Sequence, residues 1–541
     1  MSRDVQMSNV RVITLAAGAA GGLMLAPLAA AQIGIGGGPV AKLYVDNCAK
    51  CHGDNGEGGG AGTRTLLDDK YQHPHGAKYD RIFFDAIRNG VKDDEGNIAG
   101  MEGFGKAAGG VLSDAEVWGV VVYLRELQHQ AHREHTGKGQ RGMNSDEVRT
   151  TTHANFTIDT VVGKGLDTPW SVDWLPDGRM LVTERNGDVR LVTDGVLSAP
   201  IVGVPKVVAA GQGGMMDVAV HPEYAKPHAP GAGWIYLSFS DPHADGQKSL
   251  TRVVRGKLAD VNGAPTWTDQ QDIWSGKPEH YSPSGQHFGC RLVFDAPIAD
   301  GPHKGKRHLF FSIGDRGSNP RGGAKHPAQV LQMPTGKIHR VVDDGTIPTD
   351  NPFVNVENAY TSIWSMGHRN PQGLVFDLDG HLWNTEHSTR GGDELNLITK
   401  SSNYGWPIIC HGMNYNGSPL VTPWPEFAGD AAKDKTLLQP VFAWFPSVGV
   451  CGLTVVQPAP TSATGGNFDA WKGDLLAGGL SGQSVDRFRV KVGTDGTATV
   501  EEREEIIYNT GRVRDVAQGP DGMIYVVLNG PDRVIRLVPA R

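Results

Sequence analysis

The chain has 541 residues with 39% hydrophobic and 20% charged residues and a formal net charge of −8. That describes a folded multi-domain protein, and it excludes the strongly basic balance of a nucleic-acid binder and the low hydrophobicity of a disordered chain. The 73 Gly and 33 Pro point to many tight turns, which suits a β-rich architecture better than a helical one.

Residues 1–31 read as an export signal. Arg3 and Arg11 precede an apolar run, VITLAAGAAGGLMLAPLAAA, that ends on the small residues Ala29, Ala30 and Ala31. The alternative is an uncleaved anchor, the one route by which this chain would contact a membrane. Export, taken with the CAKCH motif at Cys48–His52, implies a bacterial periplasm.

Residues 36–130 form the next unit, opened by CAKCH at Cys48–His52. With 5 Cys and 20 His in the chain, chance supplies about 0.002 such C-x-x-C-H motifs. The spacing lets Cys48 and Cys51 each add to a vinyl group of one porphyrin while His52 presents its imidazole to the iron. A zinc site would need two further ligands, for which His73 and His75 are the candidates. VAKLYVDNCAKCH reads as an amphipathic helix, and LSDAEVWGVVVYLRELQHQ as a second one. Ser113 is its N-cap, Glu116 completes the capping box, and Val117, Val120, Val121 and Leu124 line one face. The arrangement resembles a class I cytochrome c, which implies covalent haem c. It also implies a Met as sixth ligand ahead of the last helix, here Met101 in IAGMEGFG, with a His from 71–75 as the alternative.

Residues 131–155 are polar and aperiodic, and are expected to be a linker. From 156 to 541 the chain alternates short β-type runs with turn signals. Strand, Asp-Gly turn, strand recurs at Asp177-Gly178, Asp379-Gly380 and Asp521-Gly522, which lie 202 and 142 residues apart. Six repeated sheets would take about 64 residues each, so these gaps are about three and two sheets. The expected fold is an all-β six-bladed β-propeller with a small all-α domain at the N-terminus; paired β-sandwiches are the alternative. Of the cysteines outside the CAKCH motif, Cys290, Cys410 and Cys451, the second and third are the expected bridge if one forms.

Within this region His287, in GQHFG, stands just before an apolar strand, and Asp315, in IGDRG, just after another. A His oriented by a carboxylate is a competent general base. Arg369 and Asn370, in GHRNPQG, add a cation and an amide donor suited to an oxygen gaining negative charge. Arg512 and Arg514, in GRVRDV, are two apart and would share one strand face.

These stretches, with GQGGMMDVAVHPEY, NTEHSTRGGDELNLI and NYGWPIICHGMNY, occur in the order of the pyrroloquinoline quinone (PQQ) dependent glucose/sorbosone dehydrogenase family. The resemblance, closest to the aldose sugar dehydrogenases, covers essentially all of 156–541. It implies that His287 is the base, Asp315 its support, Arg369 the cation beside the reacting quinone carbonyl, and Asn370 a neighbouring cofactor contact. Gln212 and Tyr415 fall on substrate- or cofactor-side positions, and Arg512 and Arg514 on the pair gripping the quinone's carboxylates. It further implies Ca²⁺ at two places: against the quinone through the carbonyls of Ser388 and Thr389, where relatives carry Gly-Pro, and at a structural site using Glu394 and the main chain of Tyr404. Many relatives contact the cofactor with a Lys where this chain has Ser481, in GGLSGQSVDRF.

The implied activity is oxidation of an aldose or a sorbosone-like substrate, with electrons leaving through haem c to a downstream cytochrome or terminal oxidase. A calcium-dependent lactone hydrolase and a carbohydrate-binding propeller without PQQ are the competing readings.

Overall fold

The structure is a computed structural model and describes residues 39–59, 65–67, 77–92, 98–135, 147–319, 325–418, 436–458 and 468–540. The expected signal, His73 and His75, and residues 136–146 of the expected linker lie outside the described residues.

The N-terminal unit is helical: α1 (Pro39–Asn47), α2 (Ala49–His52), α3 (Ala77–Asn89) and α4 (Asp114–His135). Val40 and Tyr44, one turn apart, bury the inner face of α1. The capping box forms as expected: Ser113 N–H donates to Glu116 Oε2 at 2.7 Å, and Glu116 N–H donates to Ser113 Oγ at 3.3 Å. Gly119 lets α1 and α4 meet closely, since a Cβ there would stand 2.9 Å from Val40 Cγ2. The helix runs on to His135, into the stretch expected as linker. Its last turn is tied down, because Arg133 donates to Gly482 O at 3.0 Å and pairs with Glu505, both on the β-domain.

The rest is a ring of six antiparallel sheets, as expected. Their first strands are Pro169–Trp174, Met215–Val220, Leu292–Phe294, Pro371–Phe376, Val450–Val455 and Arg512–Gln518, and each contacts the next around the axis. The three Asp-Gly turns join first to second strands in blades one, four and six. The ring closes where Asn155–Val162 pairs antiparallel with the last strand, Arg533–Ala540.

Antiparallel order puts the entry of each first strand and the exit of each second strand on one face of the ring. Below that face Arg291 plugs the axis, bonded to Asp217 at 3.0 Å, Asp515 at 2.9 Å and the carbonyl of Gln372 at 2.7 Å. Among the described residues no helix is long and apolar enough to cross a membrane.

Cys410 and Cys451 are not bridged. Cys410 Sγ lies 3.5 Å from Ser388 Oγ, whereas Cys451 Sγ lies 3.6 Å from Gln372 Oε1 and from an Arg514 nitrogen. One thiol lies under the outer loop and the other on the axis, a separation that sequence spacing does not reveal.

Candidate functional site

The face with the strand entries collects the expected residues. His287 precedes the third blade's first strand, and Asp315 follows its second, His308–Ile313. Gly314 makes their approach possible, since a Cβ there would stand 2.4 Å from His287 O. His287 adopts φ 51°, a left-handed conformation that a side chain tolerates only when its surroundings hold it. They do: Gln212 Oε1 accepts from His287 N–H at 2.8 Å, and Nδ1 lies 2.6 Å from Asp315 Oδ1.

Both groups are buried, at 8% and 1% exposure. Burial, and then the charge of Arg369, lowers the His287 pKa against the pull of Asp315. Asp315 is itself held below its ordinary value, because its bonds to His287 and the nearby cations outweigh its burial. At neutral pH the pair is therefore imidazole and carboxylate: Nδ1–H donates to Asp315, and Nε2 is left to accept a proton.

Two residues missed in the sequence complete this side. Trp406 Nε1–H donates to Asp315 Oδ2 at 2.8 Å, and its ring lies 5.4 Å from the Arg369 guanidinium. His326 Nε2 stands 3.6 Å from the same oxygen. Trp406 lay inside a quoted motif; nothing local marks His326.

Opposite the dyad, Arg369 N–H donates to Glu386 Oε1 at 2.5 Å, and the guanidinium donates to His387 O at 3.1 Å. Asn370 Oδ1 accepts from Gly289 N–H at 3.2 Å, which leaves Nδ2 buried with no partner among the described residues. His387 Nε2 is in the same position. Burial first, then Arg369, Arg514, His287 and Arg512, drives the His387 pKa well below its ordinary value. Those groups surround one imidazole, so the face concentrates positive charge around orphaned donors, which fits an anionic, oxygen-rich ligand such as PQQ.

Arg512 and Arg514 reach this cluster, although not by strict alternation. A register shift between Val513 and Asp515 adds a residue there, and Arg514 stacks on Trp170 at 4.1 Å. Tyr415 is 71% exposed at the rim, with its hydroxyl 3.5 Å from Arg369. Ser481 follows the fifth blade's second strand on the same face.

The implied ion sites differ. The Ser388 carbonyl lies 3.4 Å from the Tyr415 hydroxyl, and the Thr389 carbonyl accepts from Ser447 Oγ at 2.9 Å. Each carbonyl keeps lone-pair capacity for a cation.

Glu394 pairs across the sheet with Glu386, and Asn396 with Asn384, so four oxygen-bearing side chains share a face. Oδ1 of both asparagines is buried without a partner among the described residues. Burial raises Glu386 to about 8, and burial with Glu386 beside it raises Glu394 well above its ordinary value. Two facing carboxylates with unpaired amide oxygens are the hard donors calcium takes. The Tyr404 backbone nearby donates its N–H to Met366 O at 2.9 Å. No cluster of three or more His, Cys, Asp and Glu occurs among the described residues, so a calcium site here would need amide and main-chain oxygens.

In the helical unit Cys51 and His52 N–H donate to Cys48 O at 3.1 and 3.0 Å, which places all three motif side chains on one turn. The Cys48 thiol is free, His52 Nδ1 is buried without a partner among the described residues, and Met101 packs on the same apolar cluster as Cys48. This set fits haem c.

Comparison with known proteins agrees with the geometry. The family model described as glucose / sorbosone dehydrogenase matches residues 166–536, and the cytochrome c model matches 39–128. The chain is 37% identical over 377 residues to an aldose sugar dehydrogenase of Escherichia coli, covering 69% of this chain and 90% of that protein. It is 28% identical over 424 residues to quinoprotein glucose dehydrogenase B of Acinetobacter calcoaceticus, covering 68% and 84%. The solved apo-form of the soluble aldose sugar dehydrogenase from Escherichia coli superposes with a TM-score of 0.58 at 34% identity, over 71% of this chain and all of that one.

Proposed function

Because the chain belongs to the glucose/sorbosone dehydrogenase family and joins that propeller to a cytochrome c domain, we propose that it oxidises aldoses, or sorbosone-like aldehydes, in the periplasm. A cyclic hemiacetal becomes a lactone, and the electrons leave through haem c to a downstream cytochrome or terminal oxidase. PQQ, when bound, supplies a two-electron hydride acceptor, and haem c a one-electron outlet.

The observation that carries this reading is the buried His287–Asp315 pair at 2.6 Å, set among Arg369, Arg512 and Arg514. His287 Nε2 takes the proton of the anomeric hydroxyl as the C–H bond breaks. Asp315 keeps Nδ1 protonated and stabilises the imidazolium that forms. Arg369 offsets the negative charge that builds beside it, and Asn370 offers its orphaned amide N–H to the same oxygen-rich ligand.

Arg512 and Arg514 would hold the quinone's carboxylates, with Gln212 and Tyr415 bordering the substrate. The carbonyls of Ser388 and Thr389 would take one Ca²⁺; Glu394, with main-chain help near Tyr404, would take the other. Cys48 and Cys51 would anchor the haem, and His52 and Met101 would ligate its iron.

The test is to load the purified apoprotein with PQQ and Ca²⁺, add aldoses anaerobically and follow the haem spectrum. Sugar-dependent haem reduction is expected. Lactone hydrolysis with a silent haem would make the protein a hydrolase, and silence in both assays would leave a carbohydrate-binding propeller.

A further inference from the structure

The haem domain contacts the propeller on the face that holds the site. From α4, Glu126 receives two bonds from the Arg390 guanidinium, at 2.9 and 2.7 Å, with side chains 0% and 7% exposed. Seven residues on, Arg133 donates to Gly482 O. From α1, Val40 N–H donates to Gly417 O at 3.2 Å. Three contacted propeller residues lie within two positions of one with a cofactor-side assignment, since Arg390 follows Ser388 and Thr389, Gly482 follows Ser481, and Gly417 follows Tyr415; Glu505, which pairs with Arg133, and Phe445 do not.

The tightest of these contacts is at Arg390. Its N–H and C=O both bond Met413, at 3.0 and 2.9 Å, so its side chain cannot move far without its backbone. Gly391 and Gly392 follow with φ 78° and 77°, and a Cβ on Gly391 would stand 2.8 Å from Val122 Cγ1 of α4. Phe445 and Met413 of the propeller join the haem domain's own apolar cluster. Without Glu126, Arg390 would be a buried charge lacking its counter-ion, and the turn would have to open to hydrate it.

We propose that Arg390 is a positioning residue: through Glu126, the seated haem domain holds the Ser388–Gly391 turn in the shape that receives PQQ and its Ca²⁺, so cofactor retention depends on the haem domain. This inference rests on the PQQ reading above. The haem domain is then both an electron outlet and a wall of the cofactor site. It also explains why α4, which closes its own domain with one face, buries Glu126 and Arg133 on another.

The experiment uses the full chain with Glu126→Gln, which keeps the side-chain shape, removes the charge and touches no cofactor-side residue. Amide hydrogen exchange on the PQQ-free protein should quicken at least tenfold across Ser388–Gly391. PQQ affinity in the presence of Ca²⁺, read by quenching of protein fluorescence, should weaken at least tenfold while the haem spectrum is unchanged. The exchanged pair Glu126→Arg with Arg390→Glu should recover much of both. If Glu126→Gln does not accumulate, Glu126→Asp keeps the charge but draws it back by one methylene, and should weaken PQQ binding in the same direction. Wild-type affinity and exchange in the variant overturn this inference alone. A wild-type protein that binds no PQQ overturns it together with the functional reading.

Discussion

The two sides of the propeller mouth are built differently. On the His287–Asp315 side the contacts among the described residues come from the propeller itself, among them Gln212, Trp406, His326, the Gly317 N–H and Arg369. On the Ser388–Gly391 side the haem domain also makes contact: Glu126 pairs with the Arg390 guanidinium, and Val122 lies against Gly391. Under the proposed function, proton transfer would be self-contained, while the cofactor's seat and its electron outlet would share a wall.

The hardest blow to the self-contained side is His287→Ala. It should lower sugar-driven haem reduction by about 10³-fold or more and leave dithionite reduction of the haem normal; full retained activity would remove His287 as the base. Asp315→Asn should cost about 10²- to 10⁴-fold in kcat, since the imidazole loses its orienting acceptor. Asp315 raises the His287 pKa, so the variant's acid limb should also move to lower pH.

Met101→Ala probes the opposite side. It should lower the haem potential in a redox titration and slow haem reduction, while sugar oxidation with a diffusible dye is unchanged. An unchanged potential would assign the sixth ligand elsewhere.

Trp406→Phe removes one N–H bond to Asp315 and should cost about tenfold in kcat, or about 1.4 kcal/mol, with KM unchanged. The smallest effect is in the wild-type pH profile. Burial and Arg369 depress the His287 pKa, so its neutral form persists below the ordinary His value of about 6.5. The acid limb of kcat/KM should fall below that value, with activity lost as pH drops and His287 takes up a proton. A limb above it would point to another base.

Much of this was legible locally. C-x-x-C-H carries its chemistry within five residues, and the Ser113–Glu116 capping box within four, because helical bonds are short-range. The Asp-Gly turns marked equivalent positions in three blades, because the hairpin itself demands residues that accept a positive φ. His287, Asp315 and Arg369 stood out through the order of the motifs that carry them, which resembles that of the glucose/sorbosone dehydrogenases; alone, a His before a strand is more often structural.

Partners were not legible. Glu126 and Arg390 are 264 residues apart, and Glu126 on an amphipathic helix reads as a solvated residue. His326 and Trp406 reach Asp315 only because blade three's outer loop and blade four's loop converge on it. The expected Cys410–Cys451 bridge fails for the same reason.

The sequence by itself determined the domain types and the repeat and pointed to candidate reacting groups, since these depend on residue chemistry, short-range periodicity and motif order. Tertiary structure alone decided the closure of the ring by Asn155–Val162, the burial and pairing of His287 with Asp315, and the seating of the haem domain against the Ser388–Gly391 turn. Each of these depends on burial and on contacts between distant segments, which no local pattern encodes.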